Sequence, residues 1–233
     1  MMGLTPEELT ALLLSLKVGA VAVVCALPPG VAVALWLARG RGPLRGAVNL
    51  LVHLPLILPP VVTGYFLLLA FGRKGPVGAF LEETFGLVFA FRWTGAALAA
   101  GVMGFPLMVR AIRLAIEAVD PRLEEAARTL GARPLAVFAT VTLPLIAPGV
   151  IAGAILAFAK AMGEFGATIT FVSNIPGQTQ TLPSAIYTAL QVPGPEASAA
   201  AARLALISVA VATGALLASE FIARRVAARI RGA

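Results

Sequence analysis

Five apolar runs, at about 11 to 37, 48 to 71, 94 to 116, 141 to 162 and 204 to 222, limit what this chain can fold into. Each comes close to the ~20 residues that a helix needs to cross a ~30 Å hydrocarbon core, where every backbone amide and carbonyl must be bonded within the protein. With 59% hydrophobic and 12% charged residues and a mean hydropathy of +0.94, the chain lies far outside the range of a soluble domain. The expected fold class is all-α: a polytopic membrane protein with five transmembrane helices, forming one domain over residues 1 to 233. Lys17 is the one charge inside the first run, close enough to its start to snorkel.

The formal charge of +7 points to membrane topology rather than to nucleic acid, because the basic residues are grouped. Arg39, Arg41 and Arg45 follow the first run; Arg110, Arg113, Arg122, Arg128 and Arg133 surround a short polar segment; Arg224, Arg225, Arg229 and Arg231 follow the last run. All twelve fall on one side if the N-terminus is outside and the C-terminus cytoplasmic, which is the positive-inside pattern. Arg73, Lys74 and Arg92 fall on the other side, diluted by Glu82 and Glu83. Glu7 and Glu8, with no basic segment before them, argue against a cleaved signal peptide. A single cysteine, Cys25, and a single histidine, His53, give neither an internal disulfide nor a metal-ligand cluster.

The polar segment, about 118 to 140, predicts a short helix punctuated at both ends. Asp120 suits the N-cap, Pro121 the first helical position, Glu124 and Glu125 the positive end of the dipole, and Gly131 a left-handed close. Leu123, Ala127 and Leu130 fall on one face and Glu124, Glu125 and Arg128 on the other, as expected of a helix lying on a surface or in a groove of another protein. An interfacial amphipathic helix without a partner fits the same pattern.

Two further places interrupt the apolar pattern. In the second run Pro55, Pro59 and Pro60 remove amide donors at membrane depth, followed by Thr63, Gly64 and Tyr65. This suits a pathway or gate, and equally a packing kink. After the fourth run come Lys160, Gly163, Glu164, Phe165 and Gly166, with Lys160 and Glu164 one turn apart. An intramembrane carboxylate is a functional candidate, and an exposed ion pair at the outer interface is the structural alternative. Gly149 and Gly153 form a small-xxx-small motif, which serves assembly or packing within one chain. Residues from about 164 to 200 are expected as an extracytoplasmic excursion, with a polar loop at 173 to 180 and a half-helix from Ser184 to Gln191. The chain carries no Walker A motif, Gly-rich dinucleotide turn or Ser/His/Asp set.

Glu125-Ala126-Ala127, three residues, Gly131, nine residues, then Val141-Thr142-Leu143-Pro144 resembles the signature loop of permease subunits of ABC-type importers, with Val141 where that pattern has Ile. Residues 53 to 65, 105 to 113, 125 to 132 and 163 to 177 are similar to the permeases of bacterial molybdate ABC transporters in particular. The resemblance implies a coupling helix that docks on a cytoplasmic ATPase, with Glu124, Glu125, Ala126, Ala127, Arg128, Leu130, Gly131 and Pro144 at the coupling positions. It also implies a homodimer in the bacterial inner membrane, two copies of that ATPase, and an extracytoplasmic binding protein delivering molybdate or tungstate. No cofactor is expected on this chain, since ATP and Mg would be used by the partner ATPase. Pro59, Pro60, Thr63, Gly64, Glu164 and Phe165 are the expected pathway or gate residues. Sulfate permeases are the nearest competing assignment. A secondary transporter would need an internal repeat and several buried titratable groups, and the sequence offers no repeat and one such residue, Glu164.

Overall fold

The computed structural model describes residues 4–40 and 42–231, with side chains described through residue 218 and at residues 221 and 225. Arg41, Arg224, Arg229 and Arg231 of the basic set lie outside the described side chains. The described chain is helical throughout: α1 (Pro6–Arg39), α2 (Leu44–Ile57), α3 (Pro60–Phe71), α4 (Pro76–Phe85), α5 (Trp93–Glu117), α6 (Pro121–Thr129), α7 (Pro134–Val137), a π-helical turn (Phe138–Thr142), α8 (Leu143–Met162), α9 (Gly166–Val172), α10 (Leu182–Gln191) and α11 (Pro195–Arg231). Four stretches are long and apolar enough to cross a membrane: Pro6–Arg39, Trp93–Glu117, Pro134–Met162 and Pro195–Ala218.

The run at 48 to 71 is not one straight crossing. It breaks into α2 and α3, bent by 115°, and counts as a fifth span only as a broken one. Leu58 (ψ 145°) and Pro59 (ψ 134°) are extended, because each precedes a proline that clashes with a helical neighbour. Pro55 alone leaves α2 continuous.

At its start α1 outruns the apolar pattern. Thr5 and Glu8 form a reciprocal capping box, with the Thr5 amide donating to Glu8 Oε2 at 2.9 Å and the Glu8 amide to Thr5 Oγ1 at 3.2 Å. The same Glu8 carboxylate receives the Arg203 guanidinium, Nε lying 3.1 Å from each oxygen, and clasps α1 to α11. Ser15 Oγ accepts the Leu182 amide at 2.7 Å, which fastens α10 to the same end of α1.

Helices α1 and α5 run parallel. Lys17 lies over the Trp93 ring, Gly30 faces Met108, and Arg39 reaches Val119. Helix α8 returns antiparallel, with Gly104 of α5 facing Ala157 and Gly153 facing Met108 and Ile112. Gly149 packs on Ala111 and Ala115, so this small-xxx-small motif serves packing within the chain.

The half-helix expected at 184 to 191 is α10. The rest of the excursion is more ordered than expected, since α9 occupies 166 to 172 and Thr179 is buried, its hydroxyl accepting the Ile175 amide at 2.9 Å and donating to the Ser173 carbonyl at 3.3 Å. Helix α11 begins at Pro195 rather than 204 because Ala197 to Ala202 are nearly all strong helix formers.

Helices α3 and α9 meet at Gly64, where a Cβ would sit 2.5 Å from the Ala167 carbonyl oxygen and 2.9 Å from its Cα. Gly64→Ala is therefore expected to lower stability by ~1–3 kcal/mol, read as a lower Tm in detergent. Gly214→Ala, with nothing within 4 Å of the new methyl, should leave Tm unchanged or raise it.

Candidate functional site

The punctuation of α6 is as the sequence predicts. Asp120 Oδ1 accepts the Arg122 amide at 2.9 Å, and Pro121 opens the helix. The Gly131 amide donates to the Arg128 carbonyl at 2.9 Å and the Ala132 amide to the Ala127 carbonyl at 3.1 Å, a complete Schellman close. Gly131 holds φ +87°, and nothing lies within 4 Å of a Cβ there, so glycine is needed for conformation and not for space.

The facing of α6 departs from expectation at Glu124, while its exposed leucines suit the expected helix on a surface or in a groove of another protein. Its apolar stripe does not pack on the chain's own core: Leu123 is 49% and Leu130 88% exposed, while the inward residue is Glu124, at 9%. Ala127 is half-buried beside it, and Glu125, Ala126 and Arg128 face outward. The reason is the polar seat beneath. Glu124 Oε1 accepts from Arg39 Nη2 at 3.3 Å and from the Thr142 hydroxyl at 3.0 Å, and Arg128 Nη2 lies 3.7 Å from Oε2. Arg39 Nη2 also donates to the Val119 carbonyl at 3.4 Å. One carboxylate thus ties the end of α1, the α5–α6 junction, α6 and the π turn. Burying it costs desolvation, which the guanidinium and hydroxyl offset only because both reach it.

Sequence reasoning passed over Arg39 and Thr142. Arg39 was one of a basic group, and Thr142 stood at the variable position of the Val-x-Leu-Pro motif. Pro144 explains the π turn: its ring crowds the carbonyl four residues back, and the chain admits an extra residue, with the Leu143 amide donating to Phe138 O. Nearby, Arg113 donates to Glu117 at 2.8 Å and to Asn49 at 3.1 Å, and Arg45 to Glu117 at 3.5 Å, fastening α2 to α5.

The second cluster lies where the two broken elements cross. Pro60 touches Gly166, where a Cβ would stand 2.8 Å from the proline ring, and Gly64 touches Ala167. Thr63 is buried with its hydroxyl unpartnered. Glu164 is not an exposed interface residue, as one reading of the sequence had it, but 3% exposed. Its Oε1 accepts the Ala167 amide at 2.9 Å and its Oε2 the Lys160 ammonium at 2.9 Å, so it splices the last turn of α8 to the first turn of α9 across Gly163 to Phe165. Phe165 turns away and packs its ring on Tyr187 of α10, 5.0 Å between centroids. The structure therefore brings Pro60, Gly64, Gly166 and Ala167 together and leaves Phe165 outside that contact.

Glu124→Ala strands a buried hydroxyl and a guanidinium and is expected to cost ~1–3 kcal/mol of stability, with Glu124→Gln costing less because it keeps an acceptor for Thr142. Thermal unfolding of both variants measures the difference, and equal losses would assign the whole effect to charge. At the crossing, Glu164→Ala, which orphans both the Ala167 amide and the Lys160 ammonium, should lose ~1–3 kcal/mol on the same measurement, and Glu164→Gln, which keeps an acceptor for the amide, should lose less.

Residues 30–231 match the family described as the binding-protein-dependent transport system inner membrane component. The chain is similar to the molybdenum transport system permease protein ModB of Escherichia coli (strain K12), 58% identical over 96% of each chain. It is 50% identical to the protein of the same name from Haemophilus influenzae, over 94% of each. It is also 40% identical to the chloroplastic sulfate permease 2 of Chlamydomonas reinhardtii, over 97% of this chain and 60% of that one. Its fold is that of a bacterial ABC transporter involved in import of the acidic polysaccharide alginate (TM-score 0.73, 18% identity, 95% of this chain and 80% of that one) and of the methionine ABC transporter MetNI (TM-score 0.71, 17% identity, 96% and 99%). With its apolar helices, the match over 202 residues and these relatives, the chain belongs to the multi-pass inner-membrane permease components of binding-protein-dependent transport systems.

Proposed function

We propose that this chain is the permease of an ATP-driven importer for molybdate and tungstate, working as a homodimer with two copies of a cytoplasmic ABC ATPase and an extracytoplasmic molybdate-binding protein. The observation that carries this reading is 58% identity over 96% of the chain to a permease named for molybdenum transport. The 40% identity to a sulfate permease keeps a sulfate-type oxyanion importer as the second reading.

We place the N-terminus outside and the α6 end and C-terminus in the cytoplasm. Support comes from Arg39, Arg45, Arg113, Arg122, Arg128 and Arg133, all of which stand at or beside the α6 end. In this orientation the exposed Leu123, Glu125, Ala126 and Leu130 form the docking face for the ATPase. Glu124, Ala127, Arg128, Gly131 and Pro144 hold that face in place, and Glu124 passes its displacement to α1 and α8.

Bringing a dianion into a cell negative inside by ~100 mV costs about 4.6 kcal/mol before any concentration gradient, so a passive pore would run outward. Pro59, Pro60, Thr63, Gly64, Glu164 and Phe165 are our assignment for the gate region. With Lys160 already paired to Glu164, the crossing offers a dianion no free cation among the described residues, and anion selection falls mainly to the binding protein.

Transport by the reconstituted complex with competing oxyanions tests the reading. ATP-dependent uptake of molybdate and tungstate with similar competence, and rejection of sulfate, is expected; preferred sulfate uptake would favour the second reading. Gly131→Val should lower uptake and loosen the ATPase, since a bulky residue pays ~1–2 kcal/mol in the left-handed conformation while insertion is untouched. In a Cys25→Ala background, cysteines at Arg133 and Gln178 should be labelled from opposite faces, inner and outer respectively.

A further inference from the structure

At the end of the bundle opposite α6 there is a cup that transport leaves unexplained. Its cavity of about 510 Å³ is lined by Lys17 of α1, Arg92 and Trp93 at the start of α5, the 86–89 loop, and Gln178. The Lys17 ammonium stands 3.7 Å from the Trp93 ring centroid. No carboxylate lines the cup, and neither Lys17 nor Arg92 joins an ion pair among the described residues. Thr94 donates to the Val88 carbonyl at 3.2 Å and holds the loop wall. This cup accounts for two cations that the positive-inside pattern did not absorb.

The cup does not end at the interface. Phe89 and Thr94 also line a second cavity of about 760 Å³, which is almost wholly apolar and descends between α1, α2 and α5 past Cys25 to Pro29, Pro55 and Phe105. From Lys17 to Pro29 on α1, and from Thr94 to Phe105 on α5, the wall runs ~16–18 Å at the α-helical rise. That is about half of a ~30 Å hydrocarbon core, the depth of one leaflet.

We propose that cup and furrow together bind an anionic phospholipid, with its phosphate at Lys17 and Arg92 and one acyl chain in the furrow. A free inorganic anion or an acidic side chain would leave the furrow empty, and a zwitterionic headgroup would bring an ammonium against two unpaired cations. Trp93 at the rim suits the interfacial level that this assignment requires. The site depends on the membrane-spanning fold and not on the transported anion, so its failure and the failure of the molybdate reading are separate results.

The test uses the full-length chain in its purified assembly, stripped of lipid and titrated with phosphatidylglycerol, phosphatidylethanolamine or glycerol phosphate under native mass spectrometry. One phosphatidylglycerol per chain should bind saturably, with phosphatidylethanolamine at least tenfold weaker. Each cation near a bilayer surface contributes about fivefold, so Arg92→Gln should weaken phosphatidylglycerol about fivefold and the double variant with Lys17→Gln about 25-fold. Arg92 is exposed, so its variant remains readable if loss of the Lys17–Trp93 contact impairs folding. Cys25, the only cysteine, lines the furrow, and its alkylation by an apolar maleimide should slow severalfold on adding phosphatidylglycerol and not glycerol phosphate. Equal binding of the two lipids, unchanged binding by Arg92→Gln, or glycerol phosphate matching phosphatidylglycerol in affinity would each overturn the proposal, the last by showing a cup for free anions only.

Discussion

In hydrocarbon no water completes a broken helix, so each interruption must be covered by the protein itself. The described residues hold two such breaks, at Leu58–Pro59 and at Gly163–Phe165, and the helices that follow them cover each other. Pro60 lies on Gly166 and Gly64 on Ala167, with no room for a side chain at either glycine. The amide that the second break frees, at Ala167, is taken by Glu164. The positions of α4, α9 and α10 follow from this crossing, because a straight second span would carry the chain past α9 instead of onto it. A contact made of backbone and glycine is also short-ranged, so it is either closed or lost.

The α6 end follows a different rule. An amphipathic helix on a soluble protein buries its apolar stripe, whereas here the stripe faces out and a carboxylate faces in. The inversion is consistent once Arg39 and Thr142 are in view, since the pair and the hydroxyl make a polar seat that a leucine could not use. Because Arg39 ends α1 and Thr142 closes the π turn under α8, a force on α6 reaches two long helices through one side chain. A π turn has a spare residue and tolerates small changes of register, so compliance sits beside the anchor.

The sequence made the span positions, both caps of α6, the left-handed Gly131 and the half-helix α10 legible, because each rests on local chemistry: apolar length, Asp-Pro at a start, glycine at a close, and a short stretch between turn-rich segments. The bend between α2 and α3 was half legible. The three prolines marked the place, but whether Pro55 or Pro59 breaks the helix depends on the residue that precedes a second proline. What stayed hidden was pairing at long range. Arg203 with Glu8, Arg39 with Glu124 and Leu182 with Ser15 join residues between 85 and 195 positions apart, and no periodicity announces them. Burial of Glu164 was hidden for the same reason, since a carboxylate near a helix end looks exposed until α9 is known to fold back over it.

The two ends of the bundle also differ in how they treat charge. At the α6 end four cations answer an anion of the chain, Arg39 and Arg128 to Glu124, Arg45 and Arg113 to Glu117. At the far end Glu8 answers Arg203 and Glu82 lies 3.9 Å from Arg73, yet Lys17 and Arg92 have no such partner among the described residues. Between them, at the crossing of α3 and α9, the one lysine is neutralised by Glu164. Lys17 and Arg92 thus leave the cup with unanswered positive charge above an apolar furrow, while the crossing of α3 and α9 is neutral within itself because its lysine and its carboxylate answer each other.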